Sequence, residues 1–211
     1  MCYGSALSDR DRITQMTSLG RMLAILSLVL GSSSSLADNG PQDRFWNALS
    51  ALCGQAFAGQ MTGFARPGDD GWLDREVVMH VRECTDSEIR IPLHVGYNRS
   101  RTWVVTRIGD RFRLKHDHRH EDGSEENVTW YGGHTTDPGR EWRQTFPVDD
   151  YSKALFLANG LEVSVGNFWS MEVRKSDNRF AYELVRAGRL FRAEFDLSES
   201  VEPPPAPWGH D

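Results

Sequence analysis

The chain of 211 residues carries a formal net charge of −6, and 39% of its residues are hydrophobic. This length suits one domain or a small pair of domains. The acidic balance, without a basic stripe, argues against nucleic acid or an anionic membrane surface as a partner.

The N-terminal segment has the order of a signal peptide. Arg21 precedes the apolar run 22–30, and a polar stretch then leads to the small residues Ser35-Leu36-Ala37. The run of about nine apolar residues is half the length that a membrane-spanning helix needs, so a retained anchor is the weaker alternative. We predict export to the periplasm or extracellular space, cleavage after Ala37 and no membrane span after processing.

The predicted organisation has three parts: a signal peptide with its upstream leader over 1–37, a single domain over 38–200 and a proline-rich C-terminal tail over 201–211. Removal of the leader takes away three arginines and two aspartates, which changes the net charge from −6 to −7. Trp208 is a candidate for docking the tail onto the domain.

Two cysteines remain after Cys2 is lost with the leader. An even count in an oxidising compartment predicts a disulfide between Cys53 and Cys84. The alternative is a pair of buried free thiols, because cysteine packs well as a small hydrophobe.

The mature sequence begins with a predicted helix. Asp43 is its candidate N-cap, apolar residues recur from Phe45 to Cys53 at helical spacing, and Gly54 follows as a stop signal. A short strand over 56–61 and a glycine-rich loop up to Trp72 come next.

The rest of the sequence predicts short strands. Apolar and polar residues alternate, and Gly109-Asp110 and Ala187-Gly188 are typical hairpin turns. Pro92 places its strand at an edge or a bulge. The predicted strands cover 77–82, 89–95, 103–108, 111–120, 128–131, 142–146, 162–174, 179–185 and 190–196. One short helix over 151–158 interrupts them, with Tyr151, Leu155 and Ala158 on its covered face.

Consecutive short strands joined by hairpin turns predict a mainly β fold. We expect an antiparallel meander that closes into a barrel, because closure removes the exposed edges of a sheet with this many strands. A sandwich is the alternative.

The layout resembles the calycin superfamily of lipocalin-like barrels. The resemblance rests on an N-terminal helix, the glycine-rich first strand Gly54-Gln55-Ala56-Phe57-Ala58-Gly59 and the following meander. The lipocalin Gly-x-Trp signature is absent from that strand. The stretches 78–133 and 182–196 also resemble an uncharacterised family of bacterial secreted proteins, a resemblance that implies no activity.

The most distinctive segment is the alternating run His116, His118 and His120. On a strand these three side chains share one face with Phe112 and Leu114, so they point toward the barrel interior or its mouth. The intervening charged residues, including Asp117, are expected to face solvent. Two imidazoles on one face are competent ligands for zinc or copper, with His134, His80, His94 or Glu121 as candidate third ligands. A polar ligand pocket and simple surface exposure are the alternatives.

Large aromatic residues are frequent in the second half of the chain. Trp130, Trp142, Trp169 and Tyr182 are candidates for an aromatic wall around a small ligand, next to His116 and His118. Ordinary core packing explains most such rings taken singly.

Three functions follow from these patterns. The first is an exported barrel that binds a small molecule, with or without zinc at the histidine face. The second is a metal-dependent enzyme that uses the same histidines; no catalytic residue is assigned, since no catalytic motif occurs. The third is an envelope interaction module whose barrel is filled by side chains.

Overall fold

The computed structural model describes residues 40–63 and 75–210 of the chain. The predicted signal peptide and its cleavage site lie outside the described residues. Within these residues there are two α-helices, α1 over Pro41–Ser50 and α2 over Asp150–Ala158, and short 3₁₀ helices at Glu162–Gly166 and Lys175–Asp177. Neither α-helix of the described part is long and apolar enough to cross a membrane.

The strands of the described part all belong to one antiparallel sheet. They are β1 Ala56–Met61, β2 Val77–His80, β3 Glu83–Cys84, β4 Glu88–Val95, β5 Asn98–Ile108, β6 Arg111–His118, β7 Tyr131–His134, β8 Arg143–Pro147, β9 Phe168–Arg174, β10 Arg179–Arg186 and β11 Arg189–Asp196.

The order of the strands makes a nearly closed barrel. It runs β7-β6-β5-β4-β2-β1-β11-β10-β9-β8, with β3 paired to β4 off this path. The terminal strands β7 and β8 approach each other at a bridge between Gly133 and Val148, and the Asp149 N–H donates to the Gly132 carbonyl at 3.0 Å. The predicted fold class is therefore confirmed: an antiparallel barrel with an N-terminal helix and one short inserted helix, compatible with a calycin-like layout.

The approach of β7 to β8 depends on residues without side chains. A Cβ atom on Gly133 would collide with the main-chain carbonyl of Pro147, and one on Gly132 would collide with that of Leu114. A larger residue at position 133 would push β7 away from β8 at the seam where the barrel closes, and one at position 132 would push β7 away from β6.

Helix α1 closes one end of the barrel. Phe45 and Leu49 are fully buried, and Trp46 stacks on Phe112 of β6 with ring centroids 5.6 Å apart. The predicted N-cap is wrong: Gly40 occupies that position, and Asp43 in the first turn instead pairs with Arg107. Burial of these large rings between the helix and the sheet stabilises the packing of α1, since each buried aromatic side chain contributes roughly 2–3 kcal/mol.

Pro92 lies within β4 in the middle of the sheet. On one side β4 pairs with β3 at Ile89 and Arg90 and with β2 from Leu93 to Val95, so Pro92 falls between the two partners. The register with β5 shifts between Leu93 and Val95, close to the predicted bulge. The missing N–H of the proline therefore breaks no ladder hydrogen bond.

Helix α2 is confirmed, but its covered face differs from the prediction. Asp149 is the N-cap and accepts from the Ser152 N–H at 2.9 Å. The Ser152 hydroxyl also bonds to both main-chain groups of Gly132, which turns Ser152 and Phe156 inward. Tyr151 is consequently 56% exposed. The predicted strand over 162–174 is also shorter, since its first five residues form a 3₁₀ helix.

Cys53 and Cys84 form the predicted disulfide, with their Cα atoms 6.3 Å apart. Cys53 follows α1 and Cys84 lies in β3, so the bond joins the helix that closes the barrel to the sheet.

The C-terminal segment 201–210 returns along the outside of the barrel. Val201 pairs with Ala56, and the Trp208 N–H donates to the Arg99 carbonyl at 3.2 Å. His210 Nε2 lies 2.8 Å from Asp117, whose side chain is also bound by Arg119. The expectation that Asp117 faces solvent is therefore wrong: it lies on the outer face but is only 1% exposed, because the tail covers it.

Candidate functional site

The strand register brings the inward side chains of β5, β6 and β7 into rows. Trp103, His116 and Tyr131 stand opposite one another in the first row. Arg101 and His118 form the next row toward the end of the barrel away from α1. Because paired residues of neighbouring antiparallel strands share a face, each row presents its side chains together to the interior.

His116 is bound by protein groups at both ring nitrogens. Its Nδ1 lies 3.0 Å from the Tyr131 carbonyl, and its Nε2 lies 2.7 Å from the Tyr182 hydroxyl. A carbonyl can only accept, so Nδ1 carries the proton and Nε2 accepts from Tyr182. The ring is 3% exposed, and the two bonds fix both its tautomer and its orientation.

His118 occupies the outer position of the same face. Its Nε2 lies 3.1 Å from the Tyr131 hydroxyl, while its Nδ1 is 3.9 Å from a carboxylate oxygen of Glu126. Tyr131 thus contacts both histidines, one through its carbonyl and the other through its hydroxyl. Its ring also stacks on His116 at 4.6 Å.

The opposite wall comes from β9, β10 and β11. Tyr182 stacks on Trp103 with centroids 4.4 Å apart, and Trp169 lies 5.3 Å from the His116 ring. Leu184 pairs with Phe191 one row closer to the end of the barrel away from α1, where the cavity has its mouth. Rings from both halves of the barrel therefore contact His116.

An open cavity of about 140 Å³ lies beside the histidine pair. Its lining combines apolar, aromatic, hydroxyl, imidazole and guanidinium groups: Leu93, Arg101, Thr102, Trp103, His116, His118, Tyr131, Tyr182, Leu184, Arg189 and Phe191. The cavity is smaller than most small-molecule pockets, which measure roughly 300–1,000 Å³.

Burial keeps the two histidines and two tyrosines of the cavity neutral. It lowers the pKa of His116 to about 4 and that of His118 to about 3, and the nearby Arg101 charge adds to the effect on His118. Burial also raises the pKa of Tyr131 to about 12 and moves the pKa of Tyr182 well above its ordinary value. At neutral pH the site therefore offers uncharged imidazoles and protonated phenols, which suit hydrogen bonding better than proton transfer.

The structure brings three of the predicted ligand residues to the cavity, His116, His118 and Tyr182, and packs Trp169 against His116. It does not bring Trp130 or Trp142 to the cavity. Trp130 lies outside the barrel, with its Nε1 donating to Glu125 at 2.9 Å, because its neighbour Tyr131 takes the inward position. Trp142 lies in a groove beside α1, where Arg174 covers its ring at 4.1 Å.

His120 does not continue the inward face. Strand β6 ends at His118, and the chain then turns through hydrogen bonds from His120 N–H to the Ser124 carbonyl and from Gly123 N–H to the His120 carbonyl. The His120 side chain is exposed. Over residues 40–63 and 75–210, no group of three or more His, Cys, Asp or Glu side chains is arranged to hold a metal ion. Zinc binding by His116, His118 and His120 stays a prediction.

Sequence reasoning missed Arg101 and Arg189 at the cavity and Trp103 in its wall. The signal for Arg101 was present, since it stands two residues before Trp103 on a strand and so shares its face. Comparison with protein-family models, curated proteins and solved structures finds no match to this chain. The resemblance to a family of bacterial secreted proteins thus gains no support from them.

Proposed function

We propose that this protein is an exported barrel that binds a small molecule in the cavity beside His116 and His118. The observation that carries the proposal is the fixed hydrogen-bonded set that borders the cavity, in which Tyr182, His116, Tyr131 and His118 are linked in sequence. Preorganised polar groups between aromatic walls are typical of small-molecule sites. The same groups are poorly suited to acid–base catalysis, because their pKa values lie far from neutrality.

The size of the cavity limits what it can hold. About 140 Å³ is close to an engineered apolar cavity of about 150 Å³ that takes up one benzene molecule. A compact ligand of one ring fits this space, whereas a long-chain lipid would have to remain largely outside it.

Binding is tested by titrating the full mature protein with benzyl alcohol and following backbone amide shifts by NMR. We expect saturable shifts at Trp103, His116 and Tyr182. Leu184→Trp should abolish them, because the larger ring fills the mouth of the cavity. Val185→Trp is the matched control: it places the same ring on the adjacent, outward-facing position, which is 36% exposed, and should leave binding unchanged. Saturable shifts that survive Leu184→Trp would place the probe elsewhere, and no shifts at all would favour a filled barrel.

Export rests on the sequence of residues 21–37, and the disulfide between Cys53 and Cys84 is compatible with it. N-terminal sequencing of the protein from the extracytoplasmic fraction should begin at Asp38. A chain that keeps the apolar run 22–30 and stays with the membrane would contradict the proposal.

A further inference from the structure

A second groove lies on the outer face of β4, β5 and β6. It measures about 240 Å³ and is lined by six side chains: Glu88, Val104, Arg113, Lys115, Trp130 and Tyr151. We infer that this groove binds a sugar acid, which is a pyranose ring that carries a carboxylate, and that Arg113 binds the carboxylate. The inference does not depend on the proposed function, because the interior cavity lies on the opposite face of the same strands.

The strand register explains why these side chains meet. Glu88 pairs with Thr106, and Thr106 pairs with Arg113, in one row across the outer face. Val104 pairs with Lys115 in the neighbouring row. Paired residues of neighbouring strands share a face, so the two rows present their side chains together. Val104 is only 2% exposed, and it gives the groove an apolar floor between charged neighbours.

Two aromatic side chains border the groove. Trp130 has a φ of 56°, a left-handed conformation that is uncommon for a bulky residue, and its Nε1 donates to Glu125 at 2.9 Å. Tyr151 is 56% exposed, and the Lys115 ammonium lies 4.9 Å from the centroid of its ring. Strained backbone conformations persist where the surrounding structure maintains them, and they concentrate at ligand sites. The two rings offer flat apolar surfaces to the C–H face of a pyranose ring.

Arg113 is the charged residue of the groove that has no ion-pair partner within residues 40–63 and 75–210. Its guanidinium donates to the Thr106 hydroxyl at 3.3 Å, and its Nε is buried without a hydrogen-bond partner among the same residues. A buried cationic N–H without an acceptor has lost hydration that nothing replaces. A carboxylate in the groove would supply the missing negative charge, and its planar shape matches a planar guanidinium.

The other charges of the groove are already balanced. Glu88 pairs with Arg90 at 2.9 Å, and Lys115 pairs with Asp149 at 2.6 Å. Glu88 also accepts from the Thr106 hydroxyl at 3.4 Å. One positive charge therefore remains without a counter-ion in the described part of the groove, which favours a ligand that carries one negative charge.

The polar side chains of the groove favour a sugar over an aromatic acid. Glu88 can accept hydrogen bonds, Lys115 can donate them and the Tyr151 hydroxyl can do both. A pyranose ring carries hydroxyl groups around its edge for these partners, whereas an aromatic acid has the flat face and the charge without the hydroxyls. The volume of about 240 Å³ exceeds the cavity of about 150 Å³ that takes up one benzene molecule, so a ring with several substituents fits.

The test is an NMR titration of the full mature protein at pH 7 with three probes: galacturonate, galactose and benzoate. The reporter is the indole Nε1–H signal of Trp130, identified by its loss in Trp130→Phe. We expect galacturonate to shift this signal saturably and to bind at least tenfold more tightly than galactose, which lacks the carboxylate, or benzoate, which lacks the hydroxyls. Sodium chloride should weaken galacturonate binding and leave galactose binding unchanged. Equal affinity for galacturonate and galactose would overturn the role of the charge, and benzoate binding as tight as that of galacturonate would overturn the sugar class.

Variants locate the site. Arg113→Gln should lower galacturonate affinity at least tenfold and change galactose affinity less than twofold, whereas Tyr151→Ala should weaken the binding of both sugars. Arg111→Gln is the matched control, because Arg111 is an exposed residue of β6 that does not line the groove. Leu184→Trp, which fills the mouth of the interior cavity, should leave galacturonate binding unchanged, so the two sites are tested separately. A Trp130 signal that no probe shifts, or galacturonate binding that survives Arg113→Gln, would refute the inference.

Discussion

The buried histidines make stability depend on acid in a way that can be calculated. His116 has a folded-state pKa of about 4 against an ordinary value of 6.5, and His118 is shifted further in the same direction. Below about pH 6.5 these two histidines bind protons in the unfolded chain, whereas in the folded chain they stay neutral down to their lower pKa values. The stability that neutral histidines provide is therefore complete above pH 6.5 and is lost as the pH falls toward the folded-state values.

The size of this loss follows from the pH dependence of the free energy of unfolding, which has a slope of about 1.4 kcal/mol per pH unit for each histidine. Between pH 6.5 and 5, each of the two contributes a loss of about 2 kcal/mol, which is a large share of a typical folding free energy of about 5–15 kcal/mol. Other groups also titrate over this range, so the effect of one histidine must be isolated by comparing variants with the unmodified protein.

His116→Gln removes the titrating ring and keeps an amide that can donate to the Tyr131 carbonyl and accept from the Tyr182 hydroxyl. Urea unfolding at pH 7 and pH 5 should show that this variant loses about 2 kcal/mol less on acidification than the unmodified protein. His120→Gln, at an exposed position, is the control and should leave the difference unchanged. A His116→Gln protein with the same acid sensitivity as the unmodified protein would refute the assignment of a buried neutral imidazole.

Three further predictions concern stability. Replacing Cys53 and Cys84 with Ser should lower the free energy of unfolding by roughly 3–4 kcal/mol in urea, because a closed loop of this length restricts the unfolded chain; reduced protein should behave likewise. Gly133→Ala should cost about 2 kcal/mol or more at the barrel seam, whereas Gly166→Ala, where nothing lies within 4 Å, should stay within about 0.5 kcal/mol. His210→Ala removes a partner of a buried carboxylate on β6 and should cost about 1–3 kcal/mol, with faster amide exchange in the tail; unchanged exchange would show that the histidine does not hold the segment.

The sequence predicted the local architecture of the sheet well, because period-two alternation directly reports which face of a strand is buried. The inward direction of His116 and His118 followed from Phe112 and Leu114 on the same strand. The point after His118 at which the inward face of β6 ends could not be predicted from this alternation. It depends on main-chain hydrogen bonds of the turn after His118, which hold His120 in the exposed position.

Features that depend on contacts between distant parts of the chain could not be predicted from the local sequence pattern. The covered face of α2 is decided by the contact between Ser152 and Gly132, a pair with no signal in the pattern of α2 itself. The burial of Asp117 depends on the C-terminal segment, which contributes His210. Arg101 was overlooked because the predicted strand began at Trp103, whereas β5 begins at Asn98 and a spacing of two residues places Arg101 on the same face as Trp103.

The position of β1 has a consequence for the order in which the protein is made. β1 lies between β2 and β11, and Gly59 pairs with Phe195. During synthesis, β1 therefore cannot pair with its second neighbour, β11, until nearly the whole barrel has been translated. Contacts of such long sequence separation form late and slow folding. Until β11 is made, one edge of β1 stays unpaired, so the strands β2 to β7 and the strands β8 to β10 cannot be joined through it.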